Sequence, residues 1–116
     1  MNLSLLESKI KKLDYNTYSS SASIMDELLY SYKLADKNND KFSIFAIMRI
    51  INEWISSINN VGLYSKLPSD HKDYFTDQMR IIAMNKVSKA LHSIQAKIEA
   101  SQKVRLVRKP DTKGDK

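Results

Sequence analysis

Asp36, Asn38 and Asp40 have the residue types and the spacing of the first three ligands in an EF-hand calcium loop. Such a loop also needs glycine at its sixth position, for a sharp turn, and a bidentate glutamate at its twelfth. Counted from Asp36, these two positions hold Lys41 and Ile47, so a cation enters the site and a ligand is missing. We therefore interpret the segment as a turn between two helices, with Asp40 as the cap of the second helix, and we expect no metal there.

Few other residues could catalyse a reaction. His71 and His92 are the only histidines, and they are too far apart along one predicted helix to share a metal ion. There is no cysteine, and the two glycines, Gly62 and Gly114, cannot form a nucleophile elbow, a Walker motif or a dinucleotide-binding motif. We therefore expect a protein that is not an enzyme, with no catalytic residue, no cofactor and no small-molecule substrate.

Positive charge is concentrated near the carboxyl end. Residues 71–116 carry eleven basic and five acidic side chains, and this segment alone supplies the formal net charge of +6. Such a segment favours an anionic partner, namely nucleic acid or another anionic surface, although an acidic protein surface and a merely solvated face remain open. The residues predicted to bind the anion are Lys86, Lys89, Lys97, Lys103, Arg105, Arg108 and Lys109.

These side chains need a scaffold, and the spacing of the apolar residues predicts four helices. Capping-box patterns at 4–7 and 23–26 predict the starts of the first and second helices. Glycine and proline occur only twice each, so the chain lacks the turn residues that an all-β fold requires. The predicted fold class is all-α, a small bundle of about four helices with a long C-terminal helix and a basic tail. Residues 1–103 would form a single domain and 104–116 a basic, flexible tail.

The third and fourth predicted helices are the longest. The third, to about Asn60, is apolar nearly all round and should be the central element. Gly62 should then adopt a left-handed conformation. The fourth, from Asp70 to about Lys103, would be about 50 Å long. We expect the side chains of Phe75, Met79 and Ile82 to form the inward, apolar face of its first half.

A second apolar stripe continues along the fourth helix with spacings of three and four residues. The first three helices look too short to cover it, so it should project or pair with a second copy or another protein. This predicted oligomer or partner interface consists of Met84, Val87, Leu91, Ile94 and Ile98.

The function that these patterns favour is that of an accessory subunit working by binding, with nucleic acid as a possible partner and a protein partner or homo-oligomer expected. The alternative is a protein-directed inhibitor or immunity-type factor that uses the acidic and aromatic surface of the second and third helices. No secretory signal or membrane span is evident, which predicts a cytoplasmic protein. Abundant Lys, Ile, Asn and Tyr follow AT-rich codons and suggest a low-GC bacterium or phage as the source.

Overall fold

The computed structural model describes residues 2–15 and 17–114, with side chains described as far as residue 103. It contains four helices, α1 (Leu3–Lys11), α2 (Ser19–Lys37), α3 (Lys41–Val61) and α4 (Tyr74–Gly114). No strand occurs among these described residues. The fold is therefore the predicted all-α bundle with a long C-terminal helix.

Helix α3 packs against each of the other three helices. Its Ile47, Ile51 and Ile58 have no exposed surface, and Trp54 is buried beside them. The indole Nε1 of Trp54 donates a hydrogen bond of 2.8 Å to the hydroxyl of Tyr15, so the polar atom of this large side chain keeps a partner. Burial raises the pKa of Tyr15 and outweighs the opposite effect of this hydrogen bond.

The second apolar stripe of α4 lies inside the same core. Met84, Val87 and Leu91 have no exposed surface, and Ile94 and Ile98 are 8% and 1% exposed. Helices α2 and α3 are each about 30 Å long, enough to cover the roughly 21 Å that separate Met84 from Ile98 along α4. α4 packs against both helices. These five side chains have almost no free surface to offer a partner, so packing within one chain accounts for the stripe that we assigned to an interface.

The first turns of α4 present a different face from the one expected. Phe75, Met79 and Ile82 are 73%, 45% and 47% exposed, whereas Ile81 and Met84 are buried. The long contact with α2 and α3 sets the rotation of α4, and the helical period carries this buried face back from Met84 to Ile81. The expectation that Phe75, Met79 and Ile82 point inward is therefore wrong.

The N-cap of helix α1 lies two residues before the predicted one. The side chain of Asn2 accepts a 3.0 Å hydrogen bond from the backbone amide of Leu5 and forms the N-cap, in place of Ser4. Asparagine and serine are about equally good N-caps, so a choice between neighbouring candidates depends on the packing that follows.

Helix α2 also begins earlier than predicted, at Ser19 rather than after Ser23. Its N-cap is Tyr18, which makes no side-chain capping hydrogen bond. Ser21, in the added turn, is fully buried. We infer that tertiary packing extends the helix beyond its best local cap.

The helical backbone of α4 continues through 104–114, where the sequence predicts the start of a tail. Gln102 still contacts α2, because its Nε2 donates to the hydroxyl of Tyr32 at 3.0 Å. The twelve residues that follow add about 18 Å to the helix, and the molecule measures 71 Å along its longest axis. The side chains of Arg105, Arg108 and Lys109 lie outside the described residues, so their role and the flexible tail at 104–116 stay predictions.

Replacing Leu91 by Ala should lower the free energy of unfolding by about 2–5 kcal/mol, because it removes a fully buried side chain and leaves a cavity. Ile82→Ala, on the exposed side of the same helix, is the control and should cost less than about 1 kcal/mol. Urea denaturation followed by circular dichroism measures both values. Equal losses in the two variants would contradict the assigned orientation of α4.

Candidate nucleic-acid interface

The segment that resembles a calcium loop is a compact connection between α2 and α3. Asn39 has a φ of 55°, in the left-handed region that asparagine tolerates. The amide of Asp40 donates a hydrogen bond to the carbonyl of Ala35 at 2.8 Å, and the amide of Asn39 donates one to the carbonyl of Asp36 at 3.2 Å. This pair of hydrogen bonds is a Schellman motif, which ends α2.

Asp40 also starts the next helix. Its carboxylate accepts hydrogen bonds from the hydroxyl of Ser43 at 2.6 Å and from the amide of Ser43 at 3.1 Å. Both hydrogen bonds, the one from the hydroxyl most strongly, lower the pKa of Asp40. The predicted turn and the predicted N-cap are therefore confirmed. No group of three or more His, Asp or Glu side chains that could hold a metal ion occurs among the described residues.

The two histidines lie apart. His71 is in the turn before α4, where its Nδ1 accepts a 3.0 Å hydrogen bond from the amide of Asp73. His92 is exposed on α4 itself.

The loop between α3 and α4 leaves α3 at Gly62, which has the expected positive φ of 94° but a ψ of 142°, outside the left-handed helical region.

The lysines that the sequence predicts as anion-binding are all exposed on α4. Lys86, Lys89, Lys97 and Lys103, which we call the lysine row, lie away from the buried face of the helix. None of the ion pairs between described residues involves any of them. Their charge is therefore available to a partner, and between positions 86 and 109 the sequence opposes seven basic residues with a single acid, Glu99.

The start of α4 has the opposite character. Asp70, Asp73 and Asp77 lie within or just before its first turn. Asp77 accepts a 2.5 Å hydrogen bond from the hydroxyl of Ser65 and is paired with Arg80. The hydrogen bond from Ser65 and then that from Arg80 hold the pKa of Asp77 below its usual range. Acids at the beginning of the helix match the positive end of its dipole.

Two exposed aromatic residues lie near the cationic end of the molecule, and we did not predict them as site residues. Phe42 and Phe45, on the outer face of α3, are 85% and 73% exposed. We expected α3 to be covered nearly all round. The helical wheel carries a signal of their exposure, because both share a side of the helix with the charged Arg49, opposite Ile44 and Ile47.

The packing of α3 against α4 sets the position of these aromatic residues. The side chains of Asn52 on α3 and Gln95 on α4 are hydrogen-bonded. Gln102, seven residues farther along α4, reaches the end of α2, which adjoins the start of α3. The two helices are therefore antiparallel, and Phe45, seven residues before Asn52, lies level with Gln102 and Lys103.

A cleft between α1 and α2 carries acidic and aromatic side chains, whereas the alternative function was predicted to use the surface of the second and third helices. It has a volume of about 590 Å³ and is lined partly by Leu5, Tyr30 and Leu34. Asp26 and Glu27 lie at its side, and Glu27 is paired with Lys9 at 3.3 Å. The cleft lies on helices other than the one that bears the lysine row.

Comparisons of the chain with protein-family models, with curated proteins and with solved structures give no match. None of the helices in the described part of the chain is both long enough and apolar enough to cross a membrane.

Replacing Asp40 by Ala should lower the melting temperature, since Ser43 then has no capping partner, whereas Asp40→Asn should keep most of the stability because asparagine also caps. The native pKa of Asp40 lies below its ordinary value of 3.8. The contribution of the Asp40 carboxylate to the free energy of unfolding is therefore complete above that value and is lost as the pH falls through the native pKa. Thermal unfolding of the wild type and both variants between neutral and acidic pH tests this. An Ala variant with wild-type stability at every pH would contradict the cap.

Proposed function

We propose that the protein is a non-enzymatic binding subunit that contacts nucleic acid through the basic part of α4. The observation that carries this proposal is the ratio of seven basic residues to one acidic residue at positions 86–109 of a single helix. The four members of this set with described side chains are all exposed and are engaged in no ion pair between described residues. A row of uncompensated cations on a rigid element attracts a polyanion.

The lysine row suits contact with phosphates rather than base reading. Lys86 and Lys103 are 17 residues apart, which corresponds to about 26 Å along the helix axis. Lysine binds a phosphate as a point charge, and phosphate contacts carry no sequence information. Binding through this row should therefore be tolerant of sequence and strongly dependent on salt.

The second candidate function is recognition of another protein through the cleft between α1 and α2. The observation in its favour is that Tyr30 is 69% exposed and Leu5 51% exposed at the edge of this cleft. Exposed apolar side chains beside carboxylates would suit a basic amphipathic segment. This candidate does not need the lysine row.

The quadruple variant with Ala at Lys86, Lys89, Lys97 and Lys103 should bind generic oligonucleotides at least about tenfold more weakly, because it loses four phosphate contacts. Wild-type affinity for a duplex should fall by roughly 100-fold between about 50 and about 200 mM salt, as expected for four contacts. Fluorescence anisotropy with labelled oligonucleotides measures both effects.

The matched control removes the same charge elsewhere, with Ala at Lys11, Lys12, Lys66 and Lys72, all of which are exposed. It should retain most of the affinity. Equal losses in the two quadruple variants would mean that net charge alone attracts the nucleic acid. Absence of wild-type binding at the lowest salt would refute the proposal and direct attention to the cleft between α1 and α2.

A further inference from the structure

Exposed phenylalanines occur at both ends of the bundle. Phe42 and Phe45 lie at the start of α3, close to the end of α2 and level with the last described turn of α4. Phe75 lies at the start of α4, at the opposite end of this helix, and is 73% exposed, as Phe45 is. A single exposed aromatic ring is normal on a protein surface, so the residues around it have to indicate whether it binds a partner.

The charges around the two aromatic sites differ in sign. Near Phe42 and Phe45, the exposed cations outside the described ion pairs are Lys37, Lys41 and Lys103, whereas Arg49 is paired with Glu53. These three cations outnumber the two acids at this end, Asp36 and Asp40, which accept hydrogen bonds and keep their negative charge. Three aspartates at 70, 73 and 77 outnumber the cations at 72 and 80 around Phe75. A polyanion is therefore attracted to the first pair of rings and not to Phe75.

We propose that Phe42 and Phe45 form a base-stacking platform for single-stranded nucleic acid. This inference rests on the proposed function and specifies the form of nucleic acid that is bound. The two residues are three positions apart on the outer face of α3, so their Cβ atoms are about 5–6 Å apart, and the rings can receive neighbouring bases of one strand. Lys103, which is level with Phe45, then contacts the sugar–phosphate backbone, and the rest of the lysine row continues this contact along α4.

Stacking on these rings selects single strands over duplexes. Bases in a duplex are already stacked on each other and cannot lie flat on a protein side chain, whereas bases of a single strand can be splayed out. Stacking on an aromatic ring does not depend on which base is present, because every base has a π face. The platform therefore adds strand selectivity to phosphate contacts that on their own would bind both forms.

The experiment compares an oligothymidine strand with a duplex of similar charge, using anisotropy at constant salt. The double variant Phe42→Ala with Phe45→Ala should bind the single strand about tenfold or more weakly and bind the duplex as the wild type does. Phe75→Ala is the control because its ring is equally exposed, and it should change neither affinity. Thermal unfolding of each variant checks that the fold is retained.

A second measurement does not depend on the loss of binding. Phe45→Trp should preserve affinity for the single strand, and the fluorescence of the new exposed indole should be quenched when oligothymidine stacks on it. Trp54, the only native tryptophan, is buried and should give little change. An unquenched exposed indole in a variant that binds normally would overturn the platform.

The outcomes separate the platform from the function on which it rests. Wild-type affinity for single strands in the phenylalanine variant, together with reduced affinity in the lysine variant, would refute stacking and leave the basic helix as the interface. Equal losses for single strand and duplex in the phenylalanine variant would also refute stacking, since the rings would then serve both forms. If the wild-type protein binds neither form at low salt, both proposals fail.

Discussion

Helix α3 carries seven buried apolar side chains, from Ile44 to Ile58, and these can leave water only if several helices surround it. The bundle meets this requirement because α1, α2 and α4 all contact α3. This packing also determines which side chains of α4 lie on the surface, because α4 has to turn Met84, Val87 and Leu91 toward the core. Because that face of α4 is buried, the helical period places the lysine row on the solvent side. The charged surface of the protein is in this sense a product of its core.

The connection between α2 and α3 determines how the cationic end is assembled. The backbone amide of Asp40 donates a hydrogen bond to the last turn of α2, and its carboxylate caps the start of α3. The chain therefore reverses direction between the two helices within three residues. The short reversal places Phe42 in the first turn of α3, just beyond the bend, and brings the end of α2 within reach of Gln102 on α4. Residues from three helices thereby meet at one end of the bundle.

The number of helices, the cap at Asp40 and the central position of α3 could be predicted from sequence, because each depends on spacing or on a cap a few residues away. The starts of α1 and α2 could not, since Asn2 and Ser4 are comparable caps and the buried Ser21 extends α2 without one. The stripe from Met84 to Ile98 was recognised as apolar, but its spacing is the same whether α2 and α3 or a second protein covers it. Phe42 and Phe45 were missed for a related reason: their exposure depends on which sides of α3 its neighbours leave open.

The separation of acidic and basic residues along α4 makes the whole molecule an electric dipole with its positive pole at the carboxyl end. In the field of a polyanion such a molecule experiences a torque, and it approaches with that pole leading. The Debye length at physiological ionic strength is about 8 Å, whereas Asp77 and Lys86 are nine residues, or about 14 Å, apart along α4. Repulsion between the aspartates and a polyanion at the lysine row would therefore be largely screened. Opposite charges on one helix would thus orient an approaching polyanion and weaken its contact with the lysines little.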